Sequence, residues 1–294
     1  VFGHALKAVL CPFPDSRIMP GRSMPADPDC LQCVSSGQCI CAELFMQLGQ
    51  RAAANGDTPK ALLQKEHPDG AAMNHGNEDQ WPEPYVLGTA ISPDGRTLDT
   101  RLVLFGRATG HAAIVVEAIR GMGAVGFGNA RMPMRLVQMD VDETAVFPDC
   151  MSREDDGVSA VRLRFDGTLL KSRERLRQTD PLPFDVLVRA LLRRQSLLAA
   201  CHGEPWDLPF GALVGQAREV RLVACRLSPF QWQRTSTRTG QTSRYDAFCG
   251  EVTYEGALVP FLPFLRLGEV TQVGSGTVFG MGRYVMDVAG RISS

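Results

Sequence analysis

The chain has 294 residues, of which 44% are hydrophobic and 21% charged, and its 31 Lys+Arg nearly balance 32 Asp+Glu to leave a net charge of −1. This composition belongs to a packed globular protein and excludes disordered and collagen-like chains. The longest uncharged apolar stretch, about Gly256 to Leu265, is broken by Pro260 and Pro263 and falls well short of the roughly 20 residues that span a bilayer.

The opening run Val1 to Leu10 lacks the basic leader and small-residue cleavage site of a secretory signal. Nine cysteines, an odd number, leave at least one thiol unpaired in any disulfide scheme. Both features point to a reduced, cytoplasmic protein without a membrane partner. Lysine occurs only as Lys7, Lys60, Lys65 and Lys171, so arginine carries nearly all the positive charge. Its planar fork suits phosphate recognition, although a GC-rich genome would give the same bias.

Residues 1–10 are predicted helical, with an apolar stripe of Phe2, Leu6, Val9 and Leu10 that leaves His4 on the other face and Lys7 beside it. A long irregular segment follows, containing Cys30-x2-Cys33-x5-Cys39-x-Cys41. Four thiols this close could hold a closed structural zinc, although the second pair is spaced more tightly than usual; buried free thiols are the alternative. His67 and His75 fall in the polar stretch 66–81 and read as loop residues.

Strands are predicted over Tyr85 to Ile91 and Leu98 to Phe105, then a helix from His111 to Gly121, the loop Ala124-Val125-Gly126-Phe127-Gly128, and a strand from Met134 to Val141. Between Asp140 and Asp156 seven acidic residues face Arg153 alone, which marks a solvated linker. Beyond it come a strand over Val158 to Phe165 and a helix over Phe184 to Cys201. That helix sets Phe184, Leu187, Val188, Leu191 and Leu192 against Arg189, Arg193 and Arg194. Strands over Leu213 to Leu227 and Cys249 to Tyr254, a helix through Phe261, Phe264, Leu265 and Gly268, a glycine-rich loop and a strand over Tyr284 to Val288 complete the chain. From Arg218 onward the charge reverses, with Arg218, Arg221, Arg226, Arg234 and Arg238 opposed only by Glu219 before Arg244. Such a stripe is the footprint of a nucleic-acid site, or of an exposed strand pair.

The loop Val278-Phe279-Gly280-Met281-Gly282 repeats Ala124 to Gly128 at an offset of 154, and Met286 repeats Met132. Both halves end in helix, glycine-rich loop, strand. The second half reads β-α-β-β-α-β; the first matches it except that its opening strand is missing and must come from residues ahead of Val1 or from another element. The predicted fold is α+β: tandem ferredoxin-like (RRM-like) domains with glycine-rich loops. An N-terminal domain over 1–141 carries the Cys-rich insertion, an acidic linker spans 142–157, and a C-terminal domain spans 158–294. In the loop Gly274-Ser275-Gly276-Thr277-Val278-Phe279-Gly280-Met281-Gly282-Arg283, glycines would let backbone N–H groups approach a phosphate. The loop is neither a Walker loop nor a dinucleotide fingerprint, and a tight turn needing positive φ is the competing account.

These residues carry a resemblance. Gly274 to Arg283 resembles the C-terminal glycine-rich signature of the RAMP superfamily of CRISPR-associated proteins. Arg234-Thr235-Ser236-Thr237-Arg238 and Gly250-Glu251-Val252-Thr253-Tyr254-Glu255-Gly256 resemble the R-x-S-x-R and G-x-V-x-Y-x-G run of the repeat-specific CRISPR endoribonuclease, the Cas-six family. Val161 to Phe165 with Pro183-Phe184 and Arg193-Arg194 is similar to that family's second-domain opening, and Gly3 to Leu6 to its first helix. Phe165-Asp166-Gly167-Thr168 departs from the family, which often has Thr-Pro there.

The resemblance implies an endoribonuclease that cleaves precursor CRISPR RNA within the repeat without a metal or other cofactor. The 2′-hydroxyl attacks the adjacent phosphate, and the enzyme stays bound to its product. His4 with Lys7 is implied as the acid–base site, with Arg22, Arg238 and Tyr245 in reserve. RNA contacts are expected from Arg234, Ser236, Arg238, Arg244, Arg283 and the loop residues Gly274, Ser275, Gly276, Thr277, Gly280 and Gly282. Trp232 or Tyr245 would stack, and Arg189, Arg193 and Arg194 would grip a hairpin stem. Partners would be repeat RNA, crRNA and other CRISPR effector subunits; the alternative is a non-catalytic RAMP subunit that only binds RNA.

Overall fold

The computed structural model describes residues 40, 44, 82–126, 132–142, 157–170, 181–235 and 241–289. In the first half, β1 (Tyr85–Ile91) and β2 (Leu98–Leu104) form an antiparallel hairpin in register from Tyr85↔Leu104 to Ile91↔Leu98. A 3-10 turn over Gly106–His111 leads into α1 (Ala112–Val125). Val115, Ala118 and Met122, at helical spacing, put one face of α1 against Tyr85 and Ala108, and Leu44 joins this cluster.

The second half builds β3 (Ala160–Thr168), α2 (Phe184–His202), α3 (Phe210–Ala217), β4 (Arg221–Thr235), β5 (Thr242–Glu255), α4 (Leu262–Thr271) and β6 (Tyr284–Ala289). The sheet order is β4-β5-β3-β6 with every neighbour antiparallel, the ferredoxin-like arrangement expected from the sequence. Helix α2 starts behind Pro183 and ends at Gly203, whose N–H donates to the Ala199 carbonyl at 2.8 Å. Its stripe of Leu187, Val188, Leu191 and Leu192 is fully buried against Val161, Leu163 and Phe165 of β3 and Val252 and Tyr254 of β5. Each such aliphatic side chain contributes about 1.5–3 kcal/mol. Two buried tyrosines bond back to the chain: Tyr254 donates to the Leu182 carbonyl at 2.9 Å and Tyr284 to the Leu265 carbonyl. Helix α4 closes over Tyr284 only because residue 268 is glycine; a Cβ there would lie 2.1 Å from the Tyr284 hydroxyl and 2.5 Å from Leu191.

Several elements differ from the sequence reading. The strand expected over Leu213 to Leu227 begins instead as α3, because Phe210, Val214 and Ala217 recur at helical spacing and are buried together; β4 starts only at Arg221. Strand β5 begins at Thr242 rather than Cys249, since the polar outer part of the β4–β5 hairpin is held by its ladder and not by apolar alternation. Met134 to Val141 forms no strand: in the second half the corresponding β6 pairs with β3, the first strand of its unit, and no such partner lies beside residues 132–142 among the described residues. The helix expected over His111 to Gly121 runs on to Val125, so the first glycine copy begins inside a helix. Of the acidic linker expected over 142–157, residues 143–156 lie outside the described residues.

The C-terminal end of α2 seats the first half. His202 is buried and its Nε2 donates to the Pro82 carbonyl at 2.8 Å. Arg107 Nη2 donates to the Cys201 carbonyl at 3.3 Å. Gly106, at φ 55°, lies so close that a Cβ would fall 1.8 Å from the His202 carbonyl oxygen. A second contact is made by the glycine-rich loop, where a Cβ on Gly280 would come within 3.1 Å of the Leu87 carbonyl oxygen of β1. Among the described residues no helix is long and apolar enough to cross a membrane.

Candidate nucleic-acid interface

Strand β3 pairs with β5 from Ala160↔Glu255 to Phe165↔Gly250 and again at Thr168↔Phe248, whereas β4 and β5 stay paired out to Thr235↔Thr242. The outer part of this hairpin therefore projects past β3 as a two-stranded ribbon, and alternation of side chains gives it two faces. On one, Phe230 and Trp232 of β4 and Tyr245 and Ala247 of β5 pack on Leu169 and Met281. Trp232 opposes Tyr245 in register with ring centroids 5.1 Å apart, and the ring of Phe279 in the glycine-rich loop lies 6.0 Å from Trp232. The opposite face presents Gln231, Gln233, Arg244 and Asp246, all exposed.

The loop itself is closed by its own backbone. Val273 N–H donates to the Gly282 carbonyl at 2.9 Å, Ser275 N–H to Leu169 at 2.9 Å and Gly282 N–H to Gly167 at 2.6 Å. The N–H groups of Phe279, Gly280 and Met281 donate to carbonyls of Gly276 and Thr277. Five of the loop's amides, with that of Val273 just ahead of it, are thus committed within the protein. Its glycines serve close packing and left-handed turns: φ is 84° at Gly274, 77° at Gly276, 86° at Gly280 and 87° at Gly282. Thr277 is buried, and Ser275, Gly274, Gly276 and Gly280 are half-buried. Buried Gln272, itself at φ 60°, aims its side-chain amide into the loop and donates to Met281 at 2.8 Å and Thr277 at 3.2 Å.

The arginines separate into two sets. On the sheet face turned away from the helices, Arg162 and Arg164 of β3 and Arg226 of β4 are exposed, interleaved with Glu251 and Asp287 in register. Arg221 on the same strand is held by Glu255 at 2.6 Å. Arg283, half exposed, lies 3.6 Å from Asp166, a distance at which the pair is readily exchanged for another anion. The arginines of α2 are different. Arg189 is tied to Asp185 at 3.1 Å with both side chains largely covered. Arg194 Nε donates to the Thr271 carbonyl at 2.7 Å, and its Nη2 is buried. Burial lowers the Arg194 guanidinium to about 10, partly offset by the Glu83 carboxylate, and burial in turn raises Glu83 above the ordinary carboxyl range. Arg193 is half-buried. Arg189 and Arg194 are therefore structural, which corrects their assignment to a stem: the helical wheel shows them opposite one apolar stripe and cannot show that Asp185 and α4 cover them.

His4, Lys7, Arg22, Ser236, Arg238 and the cysteines 30, 33, 39 and 41 lie outside the described residues, and Arg234 is described only as a backbone position paired with Ser243. Tyr245 is half-buried against Trp232, a stacking position rather than a free phenol. The sequence reading placed Arg226 in its basic stripe but missed the open-face arginines Arg162 and Arg164 as candidate contacts. The alternation Val161-Arg162-Leu163-Arg164-Phe165 carries that signal, since a strand with one buried face must present the intervening residues on the other.

Residues 160–284 match the family profile described as CRISPR-associated endoribonuclease Cas6, and residues 1–160 match one described as an N-terminal domain. No curated protein matches the sequence. Among solved structures, a product complex of Thermus thermophilus Cas6 superposes with a TM-score of 0.50 at 17% identity, covering 82% of this chain and 94% of that one. The Thermus thermophilus Cas6 alone gives 0.47 at 19% identity over 77% and 87%. A Cas6 substrate-mimic complex gives 0.46 at 18% identity over 82% and 92%. At such identities the likeness is one of fold.

Proposed function

We propose that this chain, whose residues 160–284 match the CRISPR-associated endoribonuclease Cas6 family, is an endoribonuclease of CRISPR RNA that cuts the precursor within the repeat by metal-independent attack of a 2′-hydroxyl. The observation that carries this reading is that the family match spans the ferredoxin-like unit holding both the glycine-rich loop and the projecting hairpin. In-line attack forms a bond from the 2′-oxygen to phosphorus and breaks the bond from phosphorus to the 5′-oxygen, leaving a 2′,3′-cyclic phosphate and a 5′-hydroxyl. A base must take the 2′-proton, an acid must protonate the leaving oxygen, and cations must offset the charge on the phosphorane. His4 and Lys7 are the acid–base pair in this reading, and Arg283 with the open-face arginines supplies the cationic surface. Product stays bound and passes to other CRISPR effector subunits.

Repeat RNA incubated with the protein in EDTA should be cut, and the same RNA with a 2′-deoxy nucleotide at the cut site should be bound but left whole. Cleavage of both, or loss of cleavage in EDTA, would overturn the mechanism. His4→Ala should lower the cleavage rate by about 10² or more, the usual contribution of an acid–base group, with binding retained. Binding of native RNA without any cleavage would support a non-catalytic subunit instead.

A further inference from the structure

The glycine-rich loop reaches two hydrophobic clusters, one in each half. Met281 is buried in the second half with Leu169 and Ala247, and Phe230 and Trp232 of the hairpin pack against them. Three residues earlier, Val278 packs against the core of the first half, the cluster that Tyr85, Val115, Ala118 and Met122 build. Beside it, Gly280 lies so close to β1 that a Cβ would fall 3.1 Å from the Leu87 carbonyl oxygen and 3.9 Å from the Gly88 Cα. The turn that carries Val278 is stiff. Gly276 and Gly280 flank it in left-handed conformations, and Met281 N–H donates to the Gly276 carbonyl at 3.2 Å. The buried Gln272 amide donates to carbonyls on either side of Val278, those of Thr277 and Met281. The loop is therefore a peg, mounted on the second half with its tip in the first.

We propose that Val278, on its Gln272-braced turn, is a positioning residue: it fixes the angle between the halves so that the acid–base groups of the first meet the phosphate held by the second. The inference rests on the proposed function, in which His4 and Lys7 belong to the first half and Arg162, Arg164, Arg226 and Arg283 to the second. The seat at the end of α2 holds the first half at Pro82, Gly106 and Arg107. One seat leaves a body free to rock about it. A second, at Leu87, lies up to about 16 Å along the chain from Pro82 at the rise of an extended strand, and it fixes the angle. In-line attack tolerates little misplacement, since an error of about 1 Å can cost about 10²-fold in rate. Loss of the peg should therefore slow the chemistry and spare RNA affinity, which resides on the arginines.

The test separates cleavage from binding. Cleavage is timed in a single turnover with protein in excess over repeat RNA, and affinity is measured on the uncut 2′-deoxy RNA. Val278→Ala shortens the tip and should lower the single-turnover rate about tenfold. Affinity should stay within about twofold of the wild type, because every phosphate contact is kept. Hydrogen exchange of the β1 amides should quicken. Gln272→Met, which keeps size and charge but removes both donors, should act in the same direction, and the two together should cost less than the sum of their separate effects because they disable one peg. Val278→Ile should cut at the wild-type rate. Val214→Ala in the core of the second half controls for stability: it should lower the melting temperature and leave the rate per folded molecule unchanged. Should Val278→Ala lose its fold by circular dichroism, Val278→Thr, of the same shape, takes its place. An unaltered rate in Val278→Ala, a loss matched by Val214→Ala, or unchanged exchange in β1 would overturn the proposal. A wild type that binds repeat RNA without cutting it would instead overturn the proposed function; quicker exchange in Val278→Ala would then leave the peg standing, and equal exchange would remove it as well.

Discussion

After Gly280, at φ 86°, the chain turns into β6, which pairs with β3 from Phe165↔Tyr284 to Ala160↔Ala289 and completes a four-stranded sheet. After Gly126, the same position of the repeat at φ 87°, the segment 132–142 carries strand-like residues yet joins no ladder among the described residues, and Met132, Leu136, Val137 and Val141 are exposed. One glycine signature thus has two outcomes. A glycine sets a local turn through its own φ, whereas a strand exists only where a neighbour takes up its N–H and C=O groups. Among the described residues, the second half buries α2 against β3 and β5, and the first packs α1 against Tyr85 and Ala108.

The sharpest way to break this contrast is at a glycine where φ and space coincide. Gly282→Ala would strain a residue at φ 87° and drive its Cβ to 2.0 Å from the Val273 carbonyl oxygen, a backbone atom that no rotamer change can move. It should cost about 4 kcal/mol in denaturant melts, at the upper end for a single substitution, and abolish repeat cleavage. Gly95→Ala in the β1–β2 turn has φ 68° but nothing within 4 Å, so it should cost only about 1 kcal/mol, the left-handed strain alone. Equal costs would mean that packing around the glycine-rich loop contributes nothing. The cores give the next largest difference. Leu191→Ala removes a fully buried side chain held by both α4 and the sheet and should cost about 3 kcal/mol. Val115→Ala on α1 should cost about 1.5 kcal/mol, the transfer term of two methyl groups. A larger loss at Val115 than at Leu191 would reverse the order of the two cores.

The stripe of α2 was legible because its periodicity is strict, and every apolar residue named on it is buried; β1 was bounded correctly, Tyr85 to Ile91, although its burial does not alternate. Helix α3 was not, since Leu213-Val214 opens an apolar run that reads equally as strand, and only the tertiary burial of Phe210 and Ala217 decides. The packing of the glycine-rich loop was not legible, because no sequence shows that Leu169 and Gly167 lie opposite and take up the amides of Ser275 and Gly282. The same holds for Arg189 and Arg194, whose partners Asp185 and Thr271 belong to one neighbouring turn and one distant helix. The contact of Phe279 with Trp232 was not legible either, because it joins residues far apart in the chain.

The smallest expected effect lies where the halves meet. Glu83, just ahead of β1, shares a buried environment with Arg194 of α2, and desolvation holds its carboxyl above the ordinary range against the pull of its backbone hydrogen bond and of Arg194. A carboxyl whose folded pKa lies above its unfolded value binds its proton more tightly in the folded protein. Its favourable contribution is fully present below the unfolded pKa and is lost as pH rises through the folded one, so above that window the ionised group costs stability. Glu83→Gln is an uncharged isostere that removes this cost without emptying the site. Its melting temperature should exceed that of the wild type at pH 8, and the gap should close as pH falls below the carboxyl range. Parallel profiles at all pH values would show that Arg194 compensates the Glu83 charge in full. A gap that widens toward acid would show that the carboxylate is favoured by folding, and that the junction between the halves is held by an ion pair after all.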